Sequence, residues 1–418
     1  MATALVCLAL LVLIGAVAWR PHGMGPTIGA LAALAIALAG GAAELRDITD
    51  ALAAQWRAYV TLGSIMLMTS AAERMELLVR VASWIEPRTR GPVKHAFRLT
   101  FVLSALVAAV LSNDAAILLM TPTVIALLRA VYPKRHPRFV APFVLAVFAS
   151  AGVAPLVISN PMNLIFADHV GIGFNEYSIT MIPIAIVGWI VAYAVLAWMF
   201  REVLSDESPA LGHFPPLAGR MTWGAWVVVG ALVVELVLYP VMSYLAVPLW
   251  PVALAGGIAC AIASLASGHE VRALVRGITW PIFPFLMAVF VLAVSLGRIG
   301  VVDWLHDVYS SSDAPLATIG TASAIGSAVL NNHPMSVLNA IALDLGGGDH
   351  AYAFAALIGG DLGPRLLPIG SLASLLWFDI LRKHDVTIRM TTFIRIGAVL
   401  TLPTLAVSLL VLAALTHM

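Results

Sequence analysis

Residues 6–19 and 24–42 form two apolar runs close together, and runs of the same kind recur to the C-terminus with few charges inside them. A helix needs about 20 residues to cross the ~30 Å hydrocarbon layer of a bilayer. Only helices and closed barrels satisfy their own backbone there. Of 418 residues 61% are hydrophobic and 11% charged, against about a quarter charged in soluble domains. The chain therefore reads as an all-α polytopic membrane protein whose main partner is the lipid bilayer. The first run lacks a small-residue cleavage site and is read as a retained span, not a signal peptide. A net charge of +1 excludes a general nucleic-acid footprint. Cys7 and Cys260 are far apart and away from every polar motif, which argues against a disulfide framework, a redox pair or a thiolate metal site. No metal and no cofactor is expected.

The landmarks occur twice. Pro21 and Pro240 are separated by 219 residues (240 − 21), as are Asn113 and Asn332 (332 − 113). Residues 1–200 and 221–418 are read as two membrane repeats joined by a polar linker, 201–220. Lys and Arg in short loops mark the cytoplasmic side. Arg88, Arg90, Lys94 and Arg98 precede the segment around Asn113, and Arg129, Lys134, Arg135 and Arg138 follow it. Both flanks are thus expected inside, which makes 97–129 a re-entrant hairpin of two half-length helices with its tip at Ser112, Asn113 and Asp114. In the second repeat Asp303, Asp307, Asp313, Asp344 and Asp349 flank the corresponding stretch, so a hairpin over about 314–345 is expected to enter from outside, with its tip at 331–334. The repeats are then inverted in topology, with about ten crossings, a cytoplasmic linker and both termini outside. Residues 59–85, interrupted by Glu73, Arg74, Glu76 and Arg80, are expected to form a short crossing and an interfacial helix.

Each tip has a second interruption in its own repeat. "VISNPMNL" supplies Ser159, Asn160 and Asn163, and "GDLGPRLLPIGSLAS" supplies Asp361, Gly370, Ser371 and Ser374. Asn160 and Ser371 are 211 residues apart, as are Asn163 and Ser374. Breaks inside a bilayer persist only where protein or a water-filled cavity covers them, so tips and broken helices are expected to meet near the midplane around a transported solute. The substrate-binding candidates are Asn113, Asn160, Asn163, Asn331, Asn332, Gly370, Ser371 and Ser374. Asp114, Asp361 and His333 are the titratable candidates for proton coupling. Capping of half-helices by the Asn and Ser residues is the plainer alternative, as is an Asp361–Arg365 pair. Glu235, with no motif around it, is read as structural.

"LSNDAAILLMTP", "PLVISNPMN", "VLNNHP" and "GDLGPRLLPIGSLASLLW" resemble the signature segments of the bacterial arsenite/antimonite efflux permeases, ArsB type, of the ion transporter superfamily, and the resemblance runs nearly end to end. It implies a carrier of the cytoplasmic (inner) membrane, not an enzyme. Such a carrier exports trivalent arsenic or antimony hydroxide in exchange for protons, alone or with a soluble arsenite-stimulated ATPase. Two positions depart from the family pattern: His333 stands where an apolar residue is usual, and Ser150, 211 residues before Asp361, where an acidic one is. Neutral hydroxides suit Asn and Ser, which both donate and accept, and account for the lack of a conspicuous Lys or Arg in the motifs' cavity. A cation-coupled dicarboxylate or other anion carrier of the same superfamily is the main alternative; Asp114 at a tip argues against it. An intramembrane aspartyl protease using Asp114 and Asp361 is the remote one.

Overall fold

A computed structural model describes residues 2–19, 26–89, 92–132, 139–206, 220–344 and 349–416. Pro21, Arg90, Lys134, Arg135, Arg138 and most of the expected linker (207–219) lie outside the described residues, as do the side chains of Arg88 and Asp344. Among the described residues the chain is helical without a β-strand.

Hydropathy and packing agree on what faces lipid. Among the described residues five helices are long and apolar enough to cross a bilayer: Val93–Val110, Asn113–Val131, Phe174–Met199, Trp223–Tyr244 and Met390–Thr416. Ile282–Arg298 and Val301–Ser310, bent by 76° at their junction, make a sixth if taken together. The expected ten crossings would also draw on shorter apolar helices such as Thr27–Ala39 and Trp250–Ala266. Ile179, Ile190, Val237, Leu402 and Leu410 point outward from the long helices, an arrangement that is stable only against acyl chains. Trp198, Trp223, Trp226 and Tyr244 are exposed at helix ends, where amphipathic rings sit at the headgroup level.

The expected breaks are present. Leu45–Arg74 stops at Met75, Glu76 takes a left-handed φ of 54°, and Leu77–Thr89 follows. The first hairpin is longer than the charge flanks suggested: its arms are Val93–Val110 and Asn113–Val131, 18 and 19 residues, so neither is half-length. The arms of the second, Pro315–Leu330 and Asn332–Asp344, fall within the expected bounds. One hydrophobic cluster wraps the second hairpin with helices from both halves, including Phe285, Phe354 and Tyr177. A second packs the first hairpin against Phe143, Trp377 and Phe393. Cys260 is buried in a third, smaller cluster, and Cys7 is exposed. The Glu235 carboxylate accepts from the Tyr239 hydroxyl (2.9 Å) one turn along the same helix.

Candidate functional site

At the first tip the chain leaves one helix at Leu111 and starts the next at Asn113. Ser112 is extended there, and its hydroxyl accepts from the Ala115 N–H (3.0 Å), satisfying one orphan donor of the new helix. Asn113 turns away: its Nδ2 donates to the Gly152 carbonyl (3.0 Å), while its Oδ1 is buried without a partner among the described residues. Asp114, partly exposed, faces a cavity of about 60 Å³ lined by Ser112, Thr69, Ile158, Thr279 and Leu376 among others. That space holds only a handful of water-sized groups, at roughly 10–15 Å³ each. Ala116–Met120 continues as a π-helical turn, a distortion that recurs at functional sites because it splays side chains the regular helix would stack.

The two broken segments share one local grammar. A 3-10 turn, Val157–Ser159 or Pro368–Gly370, leads into an extended residue, Asn160 or Ser371, that caps the following helix. Asn160 Oδ1 accepts from the Met162 N–H (3.1 Å), and Ser371 Oγ from the Ser374 N–H (3.0 Å). Beyond the caps they differ. Asp361 of the second half reaches into the first: Oδ1 accepts from Asn160 Nδ2 (2.7 Å), and Oδ2 from Asn163 Nδ2 (3.0 Å) and the Ala154 N–H (2.8 Å). Asn163 Nδ2 also donates to the Tyr177 hydroxyl (2.6 Å), which donates to the Ala154 carbonyl (3.1 Å). Asp361 therefore neither caps its own helix nor forms an ion pair with Arg365. Arg365, 2% exposed, donates from Nη2 to the Ala149 carbonyl and keeps Nε and Nη1 unpartnered among the described residues. A side chain at Gly152 would collide with that guanidinium.

The second tip is closed. Asn331 sits at φ 87°, ψ 148°, strained for a residue with a Cβ. Its side chain compensates: Nδ2 donates to the Ile369 carbonyl (3.0 Å), and Oδ1 accepts from the His333 N–H (3.3 Å). The His333 ring packs edge-on against Phe285, with Nδ1 3.3 Å from Asn331 Oδ1 and Nε2 buried without a partner among the described residues. Asn332 Oδ1 is likewise unpartnered among them. Gly370 admits no Cβ, which would lie 2.6 Å from Pro364 Cα. Ser371 and Ser374 bond each other (2.8 Å). Of the predicted residues, then, Asp114 alone lines the small cavity, and Asn160, Asn163 and Asp361 meet in one network. A larger cavity of about 1180 Å³ between Pro315–Leu330 and Met390–Thr416 is lined by none of them.

Comparison with known proteins adds the family. The sequence profile described as "ArsB: Arsenical pump membrane protein" matches residues 3–415. The chain belongs to the arsenical pump membrane protein family. It is 30% identical over 414 residues to an Escherichia coli "Arsenical pump membrane protein", covering 95% of each chain. It is 28% identical over 407 residues to a Bacillus subtilis "Putative arsenical pump membrane protein", covering 90% of this chain and 91% of that one. In fold it resembles the Alcanivorax borkumensis YdaH transporter, whose structure is described as having an unusual topology (TM-score 0.58, 15% identity, 88% and 87% of the chains covered).

In this arsenical pump family member several site residues escaped sequence reasoning. Thr69 and Thr279 reach the Asp114 cavity from helices and loops without a motif. The buried Tyr177 is one aromatic residue in an apolar helix, with nothing in its neighbours to mark it. Arg365 stands inside "GDLGPRLLPIG", where its charge was a signal, but i,i+4 spacing suggested a local partner that the break removes.

Proposed function

We propose that the chain exports trivalent arsenic or antimony hydroxide from the cytoplasm in exchange for protons, by alternating access at the first tip. The observation that carries this reading is the Asp114 carboxylate: it faces a cavity sized for a few-atom solute, makes no hydrogen bond to the described residues, and sits in a family of arsenical pumps. A carboxylate within a membrane-spanning segment such as Asn113–Val131 is costly and is usually retained for ion or proton handling. Ser112, Thr69 and Thr279 offer hydroxyls to a neutral guest. Asp114 takes a proton when the site faces outward and the guest leaves, and loses it inward as the next guest binds. Asp361, which accepts from both asparagine amides and the Ala154 N–H, positions the first broken helix, and His333 packs against Phe285 at the second tip. The basic flanks inside, hairpins entering from opposite faces and both termini outside complete the reading, which places the chain in the bacterial inner membrane.

Everted vesicles acidified inside test it. Wild-type protein is expected to accumulate arsenite in response to the gradient, and Asp114→Asn protein to lose that response while remaining in the membrane. Gradient-driven uptake by Asp114→Asn at the wild-type rate rejects the assignment. Unchanged arsenite and antimonite tolerance in a metalloid-sensitive strain expressing the wild type rejects the substrate.

A further inference from the structure

A second cavity, about 380 Å³, lies against the other side of the first broken segment. It is lined by Arg57, Thr61, Val157, Leu164, Asp168 and Trp250, with the loop residues around 246–249 at its rim. Its lining and that of the Asp114 cavity interlock residue by residue. Thr61 lines the larger cavity and Leu62 the smaller; Val157 lines the larger and Ile158 the smaller. The two spaces are thus back to back, divided by one turn of the helix Leu45–Arg74 and by the 3-10 turn Val157–Ser159. All four partition residues are 3–5% exposed, so the barrier is sealed. The Thr61 hydroxyl is satisfied by the Arg57 carbonyl (2.9 Å) of its own turn and offers no polar path.

We infer that the Arg57–Asp168 cavity is the outer release vestibule of the transport path, and that Thr61, Leu62, Val157 and Ile158 are its gate. This rests on the proposed export reading for its direction but not for its geometry. The positions along each element support the assignment. The small cavity is lined by Thr69, Gly277 and Thr279, at the end of the molecule that carries the basic 271–277 segment. The larger is lined by Asp168, Gly171 and Gly173, between Pro161–Val170 and Phe174–Met199, at the opposite end. The vestibule holds a cation and a carboxylate, so its wall is wettable where Leu62, Val157 and Ile158 of the gate are apolar. A gate of this kind closes by dewetting and opens when a few apolar side chains separate. The 3-10 turn is tied to both halves. The Ser159 hydroxyl donates to the Ala109 carbonyl of the first hairpin (2.8 Å), and the next residue, Asn160, donates to Asp361. A shift of the first tip against Asp361 therefore pulls directly on Val157 and Ile158.

Cysteine accessibility tests the inference in the full chain, on a Cys7→Ser, Cys260→Ala background. Leu164→Cys and Asp168→Cys are expected to react with a membrane-impermeant maleimide from the outer face, and Met66→Cys and Leu376→Cys from the cytoplasmic face. Labelling of both sets from one face, or of neither vestibule position from any face, overturns it. Val157→Ala with Ile158→Ala is expected to make sealed vesicles lose an imposed pH gradient faster than the parent; an unchanged decay overturns the gate assignment. Neither measurement involves a metalloid, so loss of the arsenite reading in the tolerance assay leaves these outcomes separately readable.

Discussion

The two tips occupy matching places in the chain and are built differently. At the first, Ser112 turns the chain without strain, the helix behind it loosens into a π turn, and Asp114 is left facing a cavity. At the second, Asn331 turns the chain at a left-handed φ, and His333 is packed under Phe285. The broken helices differ in the same sense. The first half donates both its asparagine amides to Asp361, whereas the second closes on itself through Ser371 and Ser374. The two halves are therefore built unequally: the first leaves a carboxylate facing a cavity, and the second supplies a carboxylate that three donors of the first half hold.

The largest expected effect comes from removing the anchor. Asp361→Ala orphans three buried donors, at about 1–3 kcal/mol each, and should lower the melting temperature of the solubilised protein well below that of Asp114→Asn. A melting curve like the wild type with transport abolished would instead make Asp361 a group that meets the solute. Gly370→Ala forces a Cβ against Pro364 and the second hairpin, a cost of about 1–3 kcal/mol, readable in the same melting assay. Asn331→Gly relieves the backbone and Asn331→Ala keeps the strain while losing the bonds to Ile369 and His333. The glycine variant should be the more stable by about 1 kcal/mol, and the reverse order would show that the positive φ carries no strain at this turn. The smallest stability effects separate the halves most cleanly. Ser112→Ala and Ser371→Ala each remove a helix cap, about 1 kcal/mol. Only Ser112→Ala should also slow arsenite transport, since Ser112 lines the cavity; equal transport losses would erase the asymmetry.

Much of this was legible along the chain. The breaks at 112 and 331 and the 211-residue offset of the two caps appear where Ser, Asn and Pro interrupt apolar helix, and the interruption near Glu76 where charged residues do. Ser and Asn compete locally with the backbone, and local competition is visible without the fold. Only the first hairpin extends past its expected bounds, because charge flanks mark where a segment emerges, not where its hydrogen bonding stops. The partners of Asn160, Asn163 and Asp361 were beyond reach, since each lies about two hundred residues away in sequence.

Helical class, lipid exposure and the sites of the breaks follow from residue types and their spacing, because backbone in hydrocarbon must satisfy itself and any failure to do so is marked by a capping or polar residue on the spot. Which carboxylate would be sequestered and which left facing space could be settled only when the halves packed. Asp114 and Asp361 are alike as residues, and it is the amides and backbone N–H brought from the other half that immobilise one of them and spare the other.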